Sequence, residues 1–149
     1  MRRHTEWGQW NDVFVEELLS GQPNTKWQEE QDLADYINKQ TTGRVLVDDF
    51  EGYRVIFFSG RPERFLTPAD STFNETLHDP AGRVDYIMVS EPILEGQLNA
   101  VNKAFPTLYT LGGSWVKLEK TAFRWKLYQV IGSPSQLPAT NAAAQPSSP

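Results

Sequence analysis

"VLVDDFEGYRVIFFSGRP", residues 45–62, decides how this chain folds. An apolar run stops at Asp48 and Asp49 and resumes at Phe50. Two readings compete for residues 50–59. Tyr53, Val55, Ile56, Phe57 and Phe58 favour a strand by residue type, which makes a hairpin across Asp49, Phe50, Glu51 and Gly52. The rival is a helix capped by Asp49, with Phe50, Tyr53 and Phe57 on one face. Residue type alone tilts slightly toward the hairpin. The same choice sets the role of the two aspartates. They are either ligand contacts at a strand end, or residues that close one element and open the next.

Outward from this stretch, "RVLVD" (44–48) and "VDYIMVS" (84–90) read as apolar strands buried on both faces. "TKWQEEQDLADYINKQ" (25–40) reads as a helix. Thr25 and Gln28 have capping-box spacing, Leu33 and Ile37 share a face with Trp27 and Ala34 near it, and Gly43 follows the end. "NDVFVEELLSG" (11–21) reads as a shorter helix, with Asn11 as cap, Trp10 stapled against Val15 and Gly21 at its close. "RFLT" (64–67) is a short strand. "DSTFNETLHD" (70–79) is a short helix with Thr72 and Glu75 at capping-box spacing and Phe73 and Leu77 four apart. "EGQLNAVNKAFP" (95–106) reads as one helix with Leu98, Val101 and Phe105 on a stripe, stopping before Pro106. "SWVKLEK" and "RWKLYQVI" alternate apolar with polar and are joined by "TAF", as in an antiparallel hairpin with one solvated face.

These elements predict an α/β fold: a three-layer sandwich with a mostly parallel central sheet and a C-terminal antiparallel hairpin at its edge. Residues 1–131 make one domain, with 1–9 as a loose start. Residues 132–149 carry four prolines, no charge and no aromatic ring, and are expected to form a disordered tail.

Composition narrows the function. The 149 residues suit one domain, and eight Phe, five Trp and five Tyr supply a core of large side chains. Net charge is -5, with no Lys/Arg cluster on any element, which argues against nucleic acid as a partner. The chain has no cysteine, which excludes disulfides, thiolate metal sites and a cysteine nucleophile. No stretch approaches the ~20 apolar residues of a membrane span. "MRRHTEWGQW" starts basic but has no apolar core and does not read as a signal peptide.

Asp48 and Asp49 lead the candidate ligand contacts, because α/β proteins place such contacts at strand ends. With Glu51 and Asp70 they form a possible oxygen set for Mg²⁺. Adjacent residues on an extended chain point opposite ways, however, so only one faces a shared site, and the cap or turn role is favoured. Arg61 and Arg64 in "SGRPERF" suit a phosphate or carboxylate clamp, against a bland reading as solvated turn residues. Glu91 and Glu95 flank Pro92 beyond a strand. His78 adjoins Asp79 as in a general base, but GxSxG is missing and a helix C-terminus favours histidine by itself. "TLGGSW" (110–115) lacks the P-loop lysine. The tryptophans suit sugar stacking, core or an interface. No catalytic residue, metal or cofactor is assigned. The ligand-contact candidates are Asp48, Asp49, Arg61, Arg64 and Glu91.

"ADYI", "GRVLVDD", "FFSGRPERFLTPAD", "GRVDYIMVSEP", "LNAVNKAFPTLY" and "WKLYQVI" together form a pattern over roughly residues 10–131. It resembles the soluble domain that follows the membrane region in bacterial polyprenyl-phosphate-sugar-dependent glycosyltransferases of the GT-C type, relatives of protein mannosyltransferases. The resemblance implies that the sugar-transferring acids belong to the membrane part, and that this chain alone is not an enzyme. It implies a site on the extracytoplasmic face of a bacterial cell membrane. There the domain contacts the membrane region of its parent chain or frames a glycan or lipid-linked sugar acceptor. It also tilts residues 50–59 toward a helix, with Asp48 and Asp49 as strand close and helix cap. The "MRR" start departs from this picture, since positive charge beside a span is unusual on the outer face. Two other readings stand beside it. One is a free-standing, cytoplasmic α/β enzyme or nucleotide-sugar or phosphate binder using Asp48, Arg61 and Glu91. The other is a protein-interaction module with an apolar patch around Trp7 and Trp10.

Overall fold

The computed structural model describes residues 25–134. The helix expected over 11–21 with Asn11, Trp10 and Val15, the loose start, Trp7 and most of the tail lie outside the described residues.

Helix α1, Thr25–Gln40, repeats buried side chains at Glu30, Leu33, Ala34 and Ile37, the spacing of one helical face. Its end is tied down. Thr41 Oγ1 donates to the Ile37 carbonyl at 2.6 Å, and Gly43 turns the chain at φ +97°. The chain then enters β1, Val45–Leu46.

Residues 49–59 form helix α2, Asp49–Ser59, not the second arm of a hairpin. Strand-favouring residue types lose to the two ends and the packing. Asp48 has extended backbone angles and accepts the Phe50 N–H at 2.9 Å, which caps the helix. Gly60, at φ +67°, closes it with its N–H on the Phe57 carbonyl. Gly52, Val55 and Ser59 line the buried side. A Cβ on Gly52 would lie 2.6 Å from Val47 Cγ2, so only glycine lets α2 lie this close to β1. The expected cap, Asp49, is instead the first helical residue, and the cap is Asp48.

The remaining elements are a 3₁₀ turn at Pro62–Arg64, β2 (Phe65–Leu66), α3 (Phe73–His78) and β3 (Tyr86–Ser90). A 3₁₀ turn at Leu94–Gln97 follows, then α4 (Ala100–Ala104), α5 (Leu108–Leu111), β4 (Val116–Ala122) and β5 (Trp125–Val130). Thr72 precedes α3 but makes no side-chain cap bond, contrary to the capping-box spacing. The single helix expected over 95–106 is broken. Asn99 takes an extended conformation and caps α4, which leaves Leu98 61% exposed instead of on the core stripe.

The sheet order is β2-β1-β3-β5-β4. β2, β1 and β3 are mutually parallel, β5 runs antiparallel to β3, and β4 runs antiparallel to β5 as the outer arm of a hairpin. This is the expected α/β sandwich. Leu33, Ile37, Val55, Met88 and Leu127 pack beneath α1 and α2 on one face. Phe73, Ile87, Val89, Val101 and Trp115 pack under α3, α4 and α5 on the other. β3 divides its side chains between the two cores, as the period of two requires. Among the described residues no helix is long and apolar enough to cross a membrane.

The chain leaves β1 toward α2 on one face and leaves β3 toward α4 on the other. The crevice between their carboxyl ends is therefore a topological switch point, where open α/β sheets place ligands.

Candidate functional site

Four elements supply polar side chains to this crevice. Asp48 follows β1 and is 5% exposed. Its Oδ1 accepts the Phe50 N–H, and its Oδ2 accepts the Ala100 N–H at 2.7 Å, so one carboxylate holds the starts of α2 and α4. Glu51 reaches in from the first turn of α2. Its Oε1 accepts Ser90 Oγ–H at 2.5 Å and Asn99 Nδ2–H at 2.8 Å. Asn99 Oδ1 in turn accepts the Val101 and Asn102 N–H groups. Asn102 Nδ2 donates to the Ser90 carbonyl and to Ser90 Oγ, and also to the Gly96 carbonyl, while its Oδ1 accepts the Ser90 N–H at 3.2 Å.

A second buried set lies behind the first. Glu30 is fully buried on α1. Its Oε1 accepts Arg54 Nε–H at 2.7 Å and its Oε2 accepts Trp125 Nε1–H at 3.1 Å. The Arg54 guanidinium lies 4.9 Å from the Tyr53 ring centre and 5.7 Å from that of Trp27. Between the two sets Glu30, Glu51, Ser90 and Trp125 border a cavity of about 10 Å³, no larger than a single water needs. The switch point is filled by the protein's own hydrogen bonds.

Around the crevice runs an apolar rim. Arg124, in the β4–β5 turn, donates to the Ile93 carbonyl at 3.2 Å and lies 3.7 Å from Glu91 and 3.9 Å from Glu95, which joins the turn to the segment after β3. On this rim Phe50, Ile93, Leu94, Leu98 and Phe123 are all exposed. Leu94 at φ 51° and Phe123 at φ 54° are the non-glycine residues in the left-handed region among the described residues. That region disfavours any side chain larger than glycine by roughly 1–2 kcal/mol.

The sequence candidates do not converge. Asp48 is architectural. Asp49 is exposed in the first turn of α2, where its charge suits the helix dipole. Glu91 faces Arg124 on the rim. Arg61 and Arg64 sit at the opposite end of the sheet, on a shallow depression of about 390 Å³ with Gly43 and Arg44, just before β1. Arg64 is taken up by the protein itself. Its guanidinium donates to the Ile37 and Gly43 carbonyls and to Thr41 Oγ1, which fastens the end of α1. A single pocket cannot be built from Asp48, Arg61 and Glu91, because a strand and a whole helix separate them.

Asp70 accepts the Thr67 N–H at 2.9 Å and lies 4.0 Å from Arg44, so it shapes the exit of β2 rather than a metal set with Asp48. Among the described residues no three His, Asp or Glu side chains are placed to hold a metal ion. His78 Nδ1 bonds the Asn74 carbonyl and Asp79 accepts from Ser133, so the two do not form a dyad. Trp115 and Trp125 are core residues. The phenols of Tyr86, Tyr109 and Tyr128 are pushed up chiefly by burial, and that of Tyr36 chiefly by its hydrogen bond to Glu119. All four stay protonated at neutral pH, so none supplies a phenolate base.

Sequence reasoning passed over Glu30, Ser90, Asn99 and Asn102. Two of these left a signal. Glu30 falls three, four and seven residues before Leu33, Ala34 and Ile37, which puts a charge on an apolar face. Asn99 directly precedes "AVNKA", an N-cap position. No protein-family model, curated protein or solved structure matches the chain.

Proposed function

We propose that this chain is a non-catalytic extracytoplasmic α/β module of a membrane-bound glycosyltransferase-like protein. The rim around Leu94 and Phe123 is the surface it turns toward the membrane-embedded part of its parent chain. The strain at those two residues carries the reading. Backbone held in a disfavoured region persists where something else is gained from it, and such sites cluster at functional surfaces. Here both strained residues are apolar, exposed and on the same rim. Neither builds the core, and this reading assigns them an outside contact as the gain. The saturated crevice supports the non-catalytic half, since Asp48 and Glu51 already accept internal donors. The parent family comes from the phrases between "ADYI" and "WKLYQVI".

The test has two arms. Genomic sequence upstream of residue 1 is expected to encode several in-frame apolar spans; an in-frame stop codon there removes the parent. Those spans, co-expressed as a separate polypeptide, are expected to co-purify with the wild-type chain and to lose it when Leu94→Gly and Phe123→Gly are combined. Equal recovery of the folded double variant sinks the rim assignment. Saturable heat on titrating the isolated chain with Mg²⁺, nucleotides or sugar phosphates overturns the non-catalytic reading.

A further inference from the structure

The rim carries charge mostly of one sign among its apolar side chains. Asp49 is exposed beside Phe50 at the start of α2. Glu91 and Glu95 flank Ile93 and Leu94, with side chains 42% and 59% exposed. Glu29 accepts the Phe123 N–H, which sets a further carboxylate under the β4–β5 turn. Arg124 answers this group with one guanidinium, 3.7 Å from Glu91 and 3.9 Å from Glu95, while its Nη2 donates to the Ile93 carbonyl. Lys26 borders the small cavity behind, where Glu30 and Glu51 are its neighbours. One guanidinium between two half-exposed carboxylates leaves negative charge over, and Asp49 adds to it.

An exposed apolar surface edged by one sign of charge selects a partner of the other sign. Burial of Leu94, Leu98 and Phe123 supplies attraction, and the carboxylates discriminate, because like charge set against them is repelled. Anionic lipid headgroups fail that requirement. A second copy fails it too, since a two-fold contact lays the same acidic patch on itself.

We propose that the rim seats a cationic amphipathic segment of polypeptide. Its apolar side chains lie on Phe50, Leu94, Leu98 and Phe123, and its Lys or Arg side chains meet Asp49, Glu91 and Glu95. This assignment rests on the rim being the contact surface proposed above, and it narrows the partner. Short outer-face loops between membrane spans are poor in Lys and Arg, whereas long loops cross largely regardless of charge. The occupant is therefore a long loop of the membrane part, not a short turn between spans.

The test uses two synthetic peptides of about 18 residues, one of leucine and lysine and one of leucine and glutamate in the same amphipathic order. Each is titrated into the full-length chain. At low salt the lysine peptide is expected to bind at least about tenfold more tightly, and added salt is expected to shrink the difference. Glu91→Gln combined with Glu95→Gln is expected to remove most of the preference. Glu63→Gln combined with Glu75→Gln serves as the control and is expected to keep it. Glu63 borders the depression at the opposite end of the sheet, and Glu75 pairs with Arg83, just before β3. Leu98→Ala, at an exposed position, is expected to weaken the lysine peptide at least about threefold without changing its salt dependence.

Equal affinity for the two peptides overturns the inference, as does a preference that the control pair removes as fully as the rim pair. Sedimentation with neutral phosphatidylcholine vesicles, or self-association, that Leu98→Ala abolishes gives the rim another occupant and overturns it as well. These failures differ from failure of the parent. A stop codon upstream of residue 1 removes the parent and leaves the peptide preference standing. Membrane spans that co-purify with the chain equally well at low and high salt remove the charge preference and leave the parent standing.

Discussion

The crevice between β1 and β3 and the rim around it share one end of the sheet and use polarity in opposite senses. Inside the crevice Asp48, Ser90, Asn99 and Asn102 are buried, and each of their side chains bonds another part of the protein. Outside it Leu94, Leu98 and Phe123 are exposed, and two of the three hold a strained backbone. Polar groups turned inward and satisfied fix the geometry of four chain segments. Apolar groups turned outward at a conformational cost lie outside both cores. The place where an α/β sheet ordinarily meets its ligand is thus filled by the protein's own hydrogen bonds, and the exposed apolar side chains gather at its edge.

The largest test of the inner half is the pair behind the crevice. Arg54→Leu removes the guanidinium from the fully buried Glu30 carboxylate, which keeps its bond to the Trp125 N–H. The expected loss is about 3–5 kcal/mol in urea unfolding. A loss below about 1 kcal/mol would place that pair among loosely held surface ion pairs and remove it from the inner network.

Asp48 and Asp49 separate next. Asp48→Ala removes the cap of α2 and leaves the Ala100 N–H without its acceptor, a combined loss of about 2–4 kcal/mol. Asp49→Ala removes only an exposed charge near a helix start and is expected to cost less than about 1 kcal/mol. Equal losses for the two variants would mean that the network does not pass through Asp48. Thermal or urea melts of both variants decide it.

This pair also marks the limit of what the sequence discloses. Helix α1 and the C-terminal hairpin follow from periodicity, and the buried strand at β3 from an unbroken apolar run; together they give the α/β class. Residues 49–59 do not. Their residue types favour a strand, and the helix is selected by a cap, by Gly60 and by the close seat that Gly52 allows against Val47. Which of two adjacent aspartates caps is a matter of one backbone angle, and spacing rules cannot resolve it. The break at Asn99 was legible as an N-cap but was hidden by a plausible stripe through Leu98 and Phe105. Arg64 read as a free anion clamp because its partners, the carbonyls of Ile37 and Gly43, lie more than twenty residues away. The crevice network was illegible for the same reason: Glu51 meets Ser90 and Asn99 only once the sheet is assembled.

Glu51 tests whether the network needs charge or only acceptors. Glu51→Leu strands the Ser90 hydroxyl and the Asn99 amide, and the expected loss is about 1.5–3 kcal/mol. Glu51→Gln keeps an acceptor oxygen in place and is expected to cost under about 1 kcal/mol. A glutamine variant as damaged as the leucine one would show that the negative charge itself is required. The crevice would then resemble a site for a cation or an acid catalyst more than a structural joint.

The smallest expected change has the opposite sign and bears on the rim. Phe123→Gly relieves roughly 1–2 kcal/mol of left-handed strain. It returns part of that, about 0.4–1 kcal/mol, by loosening the unfolded chain. The Phe123 N–H keeps its 2.7 Å bond to Glu29 in either residue, and the ring, 40% exposed, gives up only the packing of its covered part. The net expectation is a gain of about 0.5–1 kcal/mol, a rise of a few degrees in melting temperature. A folded state made more stable by removing a side chain, together with weaker capture of the proposed membrane part, would separate the proposed contact role of the rim from its role in folding. A clear loss of stability would instead make the Phe123 ring a packing element of the hairpin. The strain would then be compensated from within, and the contrast between crevice and rim would lose its outer half.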